Sequence, residues 1–243
     1  MSNSHTRAAV LIVAAGRGRR FGDEMPKQYL PIAGVCSLRR CLETFLALDA
    51  IAMVQTVIHP DDSEMYAQAV AGPPDDRVLP PVSGGATRAK SVTCGLQALA
   101  AHSPDCVLVH DAARPFVSER IILDVLGELR HADAAFAALP VVDALWQAAD
   151  GAAINPVPRD GLWRAQTPQG FRFDPLLAAH LAYEGDAADD VEIARAMGID
   201  VRIVTGASEN FKITTRADLE RAEQIAAARL VPLTDLSPQA ARG

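Results

Sequence analysis

The sequence is short of lysine, cysteine and aromatic side chains. Its 23 basic residues include only three lysines, Lys27, Lys90 and Lys212. Aromatic residues make up 5% of the chain. The four cysteines, Cys36, Cys41, Cys94 and Cys106, form no C-x-x-C pair, and the six histidines are scattered. Zinc-ligand spacing and a disulfide framework are therefore both absent, which suits a reducing compartment, and the expected location is cytoplasmic. Long apolar runs are missing too. The first, over residues 8–15, is too short to span a bilayer and leads into arginines, not a cleavage site. Positive charge is in deficit: the net charge is −7 and the pI about 5.3. Nucleic acid and anionic membrane are thus not expected as partners. A small anionic ligand remains open, because it needs only a local positive pocket.

The chain itself is 243 residues, 49% hydrophobic and 22% charged. That is too apolar for disorder and long enough to bury a core without staples. Short apolar runs alternate with longer amphipathic stretches. Strands are expected at 8–14, 54–59, 77–82, 106–110 and 134–139, and helices at 37–48, from about 61, at 88–101 and from 118 to about 130. This alternation predicts an α/β fold, a mostly parallel sheet with helices on both faces. Ligands of such sheets bind beyond the carboxyl ends of the strands.

Residues 141–170 break the rhythm with Pro156, Pro158, Pro168, two Asp-Gly turns and both tryptophans. An extended arm at about 141–165 is expected there. It either packs on a partner chain through Trp146 and Trp163 or folds back on its own domain. Helices at 174–183, 189–197 and 215–228 and a strand at 201–204 complete one domain over 7–229. Residues 230–243 read as a tail or linker.

Three motifs carry chemistry. Ala14-Ala15-Gly16-Arg17-Gly18-Arg19-Arg20-Phe21 follows the first strand and precedes Pro26-Lys27-Gln28. Small residues let the backbone approach a ligand, successive N–H groups can cradle phosphate oxygens, and Arg20 and Lys27 can neutralise a polyphosphate. It is neither a Walker A loop nor a complete G-x-G-x-x-G, since Phe21 stands where the third glycine belongs. Gly84-Gly85 precedes a helix on which Arg88 and Ser91 share a side. His110-Asp111-Ala112-Ala113-Arg114 closes an apolar strand. There Asp111 could ligate Mg²⁺ or accept a ribose hydroxyl, with Arg114 holding it in place. His110 points the other way from Asp111.

Together the segments AAGRGRRFG, PKQYL, GGATRAKSV, HDAARPF, RAQTPQGF, ADDVEIARAMG and NFKITTRADLERAE resemble the 2-C-methyl-D-erythritol 4-phosphate cytidylyltransferases. The resemblance implies a Rossmann-like nucleotidyltransferase domain with a protruding β-arm, binding CTP with Mg²⁺. The methylerythritol phosphate would attack the α-phosphate and displace pyrophosphate. By motif, Arg20 and Lys27 would stabilise the triphosphate. Ala14, Ala15, Gly16, Gly18, Gly85, Arg88, Ser91, Asp111 and Ala112 would surround the nucleotide, with Asp111 also the metal candidate. Arg114, Asp143, Arg159, Thr167 and Lys212 would serve the acceptor. In that family the arm exchanges within a homodimer, so Arg159 would serve the neighbour's site. Such transfer asks mostly for positioning and charge stabilisation, and a phosphate oxyanion needs no general base.

The chain departs from the family's pattern at Ala86, Ala144 and Ala188, where Asp, Thr and Thr are usual. Other readings are a cytidylyltransferase for ribitol 5-phosphate, a sugar-1-phosphate nucleotidyltransferase, and an inactive nucleotide-binding homologue. The chain could also be cut from a fusion with the cyclodiphosphate synthase.

Overall fold

The computed structural model describes residues 6–17 and 25–230. The predicted Gly18 and Arg20, and the tail beyond residue 230, lie outside the described residues.

The chain opens with β1 (Ala8–Ala14), then the short pair β2 (Pro31–Ile32) and β3 (Val35–Cys36). These lead through α1 (Ser37–Leu46), β4 (Ile51–Ile58), α2 (Ser63–Val70) and β5 (Val82–Ser83) to α3 (Arg88–Ala100). Next come β6 (Cys106–Asp111), α4 (Glu119–Glu128) and β7 (Ala134–Pro140). The hairpin β8 (Leu145–Ala149) and β9 (Ala152–Val157) precedes β10 (Trp163–Arg172). The chain ends with α5 (Phe173–Ala182), α6 (Asp190–Ala196), β11 (Val201–Thr205) and α7 (Arg216–Leu230).

Seven strands form one sheet in the order β11-β7-β10-β6-β1-β4-β5, parallel except for β10. β1 sits near its centre and is covered on both sides, which is why it reads as an unbroken apolar run. Its period-2 alternation divides the core. Val10 and Ile12 pack on one face with Leu38, Leu42 and Phe45 of α1 and Ile121 and Val125 of α4. Ala9 and Leu11 pack on the other with Val92, Leu96 and Leu99 of α3 and Leu176 of α5. Each large side chain removed from water in this way contributes about 1.5–3 kcal/mol.

Helix starts follow their caps. Thr87 Oγ1 accepts from the Lys90 N–H at 3.2 Å and Ser118 Oγ from the Ile121 N–H at 3.4 Å. The strand expected at 77–82 shrinks to Val82–Ser83 and a single bridge between Val54 and Val78. Pro80 and Pro81 lack the N–H groups that a continuous ladder needs.

Register places the site. Ala14 stands opposite Ile58, Ile58 opposite Ser83, and Val13 opposite Asp111. The carboxyl ends of β1, β4, β5 and β6 are thus level, and their loops emerge together. Being antiparallel, β10 enters the sheet from this same edge, with Gln169 opposite Val109. Trp163–Ala165, the last part of the expected arm, pair with Pro140–Ala138 inside the main sheet. Among the described residues β8 and β9 ladder only with each other, and their residues are almost all exposed. No described helix is long and apolar enough to cross a membrane.

Candidate active site

A cleft of about 1020 Å³ opens at the level strand ends. The three loops singled out from the sequence form its walls. Ala14, Ala15 and Gly16 come from the first, Gly85, Arg88 and Ser91 from the second, and Asp111 and Ala113 from the third. Ala112 lies beneath the lining, 1% exposed, with its N–H bonded to the Val13 carbonyl at 3.1 Å.

The loops are fitted to one another. Gln28, 2% exposed, donates through Nε2 to the Ala14 carbonyl at 2.6 Å and to Gly16 at 3.2 Å. It pins the glycine-rich turn from below. Arg17 ties the same turn to Asp61 at 2.6 Å and Asp62 at 3.2 Å. Ser91 Oγ accepts from the Gly85 N–H at 3.1 Å and donates to the Thr87 carbonyl at 2.9 Å. A Cβ at Gly84 would stand 2.6 Å from Ala15 Cβ and 2.7 Å from Ser91 Oγ, so the first and second loops touch only because residue 84 has no side chain. A Cβ at Gly16 would meet no protein atom within 4 Å. The small residue there leaves room in the cleft and is not demanded by packing.

Asp111 anchors the charge pattern at 7% exposure. Its Oδ2 lies 2.7 Å from Lys212 Nζ, and its Oδ1 accepts from Arg88 Nε at 3.3 Å. Burial opposes ionisation, but Arg88, Lys212 and Arg114 outweigh it and hold the carboxyl well below the usual carboxylate range. Arg114 does not clamp Asp111 as the sequence suggested. Its guanidinium donates to the Asn210 carbonyl at 2.8 Å and the Ala165 carbonyl at 3.4 Å, because the loop after β6 turns it towards β10. Lys27 reaches the same wall from the other end of the chain and donates to the Ile213 carbonyl at 2.8 Å.

A smaller cavity of about 230 Å³ adjoins the cleft and shares Arg88, Asp111 and Lys212 with it. Arg114, Thr167 and Ala188 line it, while Ala86 lines the large cleft. Two of the three departures from the family's pattern therefore face the cavities. Thr167, preceding a cis proline, has its hydroxyl engaged. It accepts from the Asp111 N–H at 3.1 Å and lies 3.0 Å from His110 Nδ1. His110 Nε2 lies 3.1 Å from the Arg114 carbonyl, which can only accept, so the ring proton sits on Nε2 and Thr167 donates to Nδ1. Burial pushes His110 down to about 4, and its ring meets Phe45 edge-on. The histidine is a neutral brace behind Asp111, facing away from the cleft as β-alternation predicts.

Arg159 and Asp143 are not brought to either cavity. Both are exposed beside the hairpin, where Arg159 donates to the Val142 carbonyl. Sequence reasoning assigned no role to Gln28 or to Asp190, which accepts from Arg88 Nη2 at 2.8 Å. Both stand in quoted motifs, but only burial distinguishes them from their solvated neighbours.

Residues 8–228 match the model of the family described as IspD, 2-C-methyl-D-erythritol 4-phosphate cytidylyltransferase. The chain is 46% identical over 219 residues to the protein of that name from Cereibacter sphaeroides, covering 90% of this chain and 96% of the other. It is 48% identical over 217 residues to a bifunctional IspD/IspF enzyme from Paramagnetospirillum magneticum, covering 89% of this chain and 56% of that one. It thus spans a little over half of that longer relative. The solved structure of the Thermus thermophilus 2-C-methyl-D-erythritol 4-phosphate cytidylyltransferase superposes with a TM-score of 0.75 at 35% identity, covering 91% of this chain and 99% of that one. Matched along nearly its whole length, with residues of the family's segments lining two adjoining cavities, the chain belongs to the 2-C-methyl-D-erythritol 4-phosphate cytidylyltransferase family.

Proposed function

We propose that the chain transfers the cytidylyl group of CTP to 2-C-methyl-D-erythritol 4-phosphate in isoprenoid synthesis, releasing pyrophosphate. The observation that carries this reading is the wall shared by the two cavities, where Lys212, Asp111 and Arg88 are joined by ion pairs. A nucleotide in the large cleft and a phosphomonoester in the small one would meet there. An acceptor phosphate oxygen forms the new bond to the α-phosphorus. The bond from that phosphorus to the α–β bridging oxygen breaks, and pyrophosphate leaves with the electron pair. No proton moves, so no general base is required.

The residues divide the work. The N–H groups of Ala15 and Gly16 and the first turn of α3, with Ser91, receive the nucleotide. Lys27, together with Arg20, offsets charge on the triphosphate as the leaving group departs. Lys212, Arg114 and Thr167 border the acceptor's cavity. Arg159 and Asp143 reach a site only if the hairpin lies on a second copy of the chain, as in an arm-exchanged homodimer. The exposed Trp146 (58%), Ile154 (54%) and Trp163 (42%) support that arrangement.

A Mg²⁺ ion accompanying CTP takes oxygen ligands and keeps several waters. Asp111 is ionised and retains lone pairs beyond those given to Arg88 and Lys212, so it fits as a protein ligand. Among the described residues no group of three or more His, Cys, Asp or Glu gathers to cage a metal. The ion would therefore depend on the nucleotide for most of its ligands, and it would supply charge neutralisation at the phosphates. The charge, composition and cysteine usage support a cytoplasmic enzyme.

Pyrophosphate release should appear with CTP and methylerythritol phosphate. It should fall at least about tenfold with UTP or with ribitol 5-phosphate, the scale of one missing polar contact. Equal turnover with ribitol 5-phosphate would overturn the acceptor assignment.

A further inference from the structure

Arg88 has two acidic partners, and one of them lies outside both cavities. Asp190 is the first residue of α6 and has no exposed surface. One carboxylate oxygen accepts from Arg88 Nη2 at 2.8 Å. The other stands 3.2 Å from His180 Nε2, within ion-pair reach but off the line of a hydrogen bond. His180 is buried on α5, and its Nδ1 lies 3.3 Å from Thr93 Oγ1 of α3. Thr93 also lies 3.0 Å from the Ala89 carbonyl. A hydroxyl has one proton, given either to Ala89 or to Nδ1. A proton on Nε2 is favoured by the carboxylate oxygen that it faces. Burial opposes the charge on Asp190, but Arg88 and His180 prevail and its carboxyl stays below the ordinary range.

Burying a carboxylate and an imidazole side by side costs more than filling the same space with apolar groups. What the pair accomplishes here is directional. Without Asp190, the Arg88 fork would close on Asp111 with both nitrogens, the preferred geometry for such a pair. That would neutralise Asp111 and draw it from Lys212, 2.7 Å away. With Asp190 present, Arg88 gives Asp111 only its Nε, at 3.3 Å.

We propose that Asp190, backed by His180, is a positioning residue that holds the Arg88 guanidinium across the wall between the two cavities and so keeps Asp111 available to Lys212. This rests on the cytidylyltransfer reading and deepens it. Neither residue touches the cavities, so both act through Arg88.

The test is steady-state pyrophosphate release by the full chain with CTP and methylerythritol phosphate. Turnover by the wild type checks the underlying reading, and a folded wild type without turnover removes both. In Asp190→Asn, kcat should fall about 10- to 100-fold, the scale of a displaced catalytic group. The loss should fall more on kcat than on the KM for CTP, since the glycine-rich turn and Ser91 that receive the nucleotide stay in place. The loss should disappear in the Arg88→Gln background, because a residue acting through Arg88 has nothing left to position. A wild-type kcat in Asp190→Asn, or a loss that adds fully to that of Arg88→Gln, overturns the inference. Should Asp190→Asn melt below the assay temperature, His180→Leu is judged by the same cycle. There too, a loss confined to the Arg88 background supports the inference and an additive one overturns it.

Discussion

In the cleft at the strand ends, Lys27, Gln28, Arg88, Asp111 and Lys212 each meet a group from a distant part of the chain. In the β8–β9 hairpin Trp146 and Ile154 face solvent, and beside it the Arg159 guanidinium donates to the Val142 carbonyl. The site residues that the family resemblance implies are therefore of two kinds. Those in the cleft are held by buried partners before any ligand arrives. Those beside the hairpin are exposed and, among the described residues, line neither cavity. Preorganised charge is worth most where water is excluded, so the two regions should respond differently to substitution.

The largest effect is expected at Lys27. Lys27→Ala should lower kcat by at least about 100-fold, several kcal/mol of transition-state stabilisation. Near-normal turnover would remove the lysine from the mechanism. Arg159→Ala sharpens the contrast, because it should raise the KM for the acceptor about 10- to 100-fold, the worth of one charged hydrogen bond, and leave that for CTP nearly unchanged. Mixed with Lys27→Ala, it should restore partial turnover if the hairpin serves a partner's site. Heterodimers that form without any activity would count against a site shared between two chains.

Gly84→Ala asks whether the cleft is as closely fitted as its distances imply. A Cβ at 2.6 Å from Ala15 should cost about 1–3 kcal/mol in chemical denaturation, and an unchanged midpoint would show that the loops can part. The mildest change for the folded chain is Trp146→Ser. It should leave the single chain's thermal midpoint within about 3 °C, as for an exposed site, and shift sedimentation towards the monomer. A stable dimer in this variant would argue that the hairpin is not the contact.

The alternation of strand and helix through residue 140 was legible because apolar periodicity survives wherever a strand is covered on both faces. Ala8–Ala14 and Cys106–Asp111 are the clearest cases. The stretch at 77–82 was not, since composition favoured a strand while Pro80 and Pro81 denied it a ladder. Gln28, Asp190 and His180 sat within readable segments, yet nothing local marks them. A glutamine that pins a loop and one exposed to water look alike until the surroundings are known. Arg114 shows the same limit from the other side: proximity in sequence suggested Asp111, and the turn of the chain gave it two carbonyls instead.

Order along the chain, the small residues at the strand ends and the retained lysines were determined by the sequence alone, because they depend on residue type and spacing. Which cation faces which carboxylate was decided only in three dimensions. Asp111 is separated by 101 residues from Lys212 and by 23 from Arg88, and Asp190 by 102 from Arg88. Only the parallel register of β1, β4 and β6, with β10 running back between β6 and β7, brings those charges to one edge, where burial gives each pairing its strength.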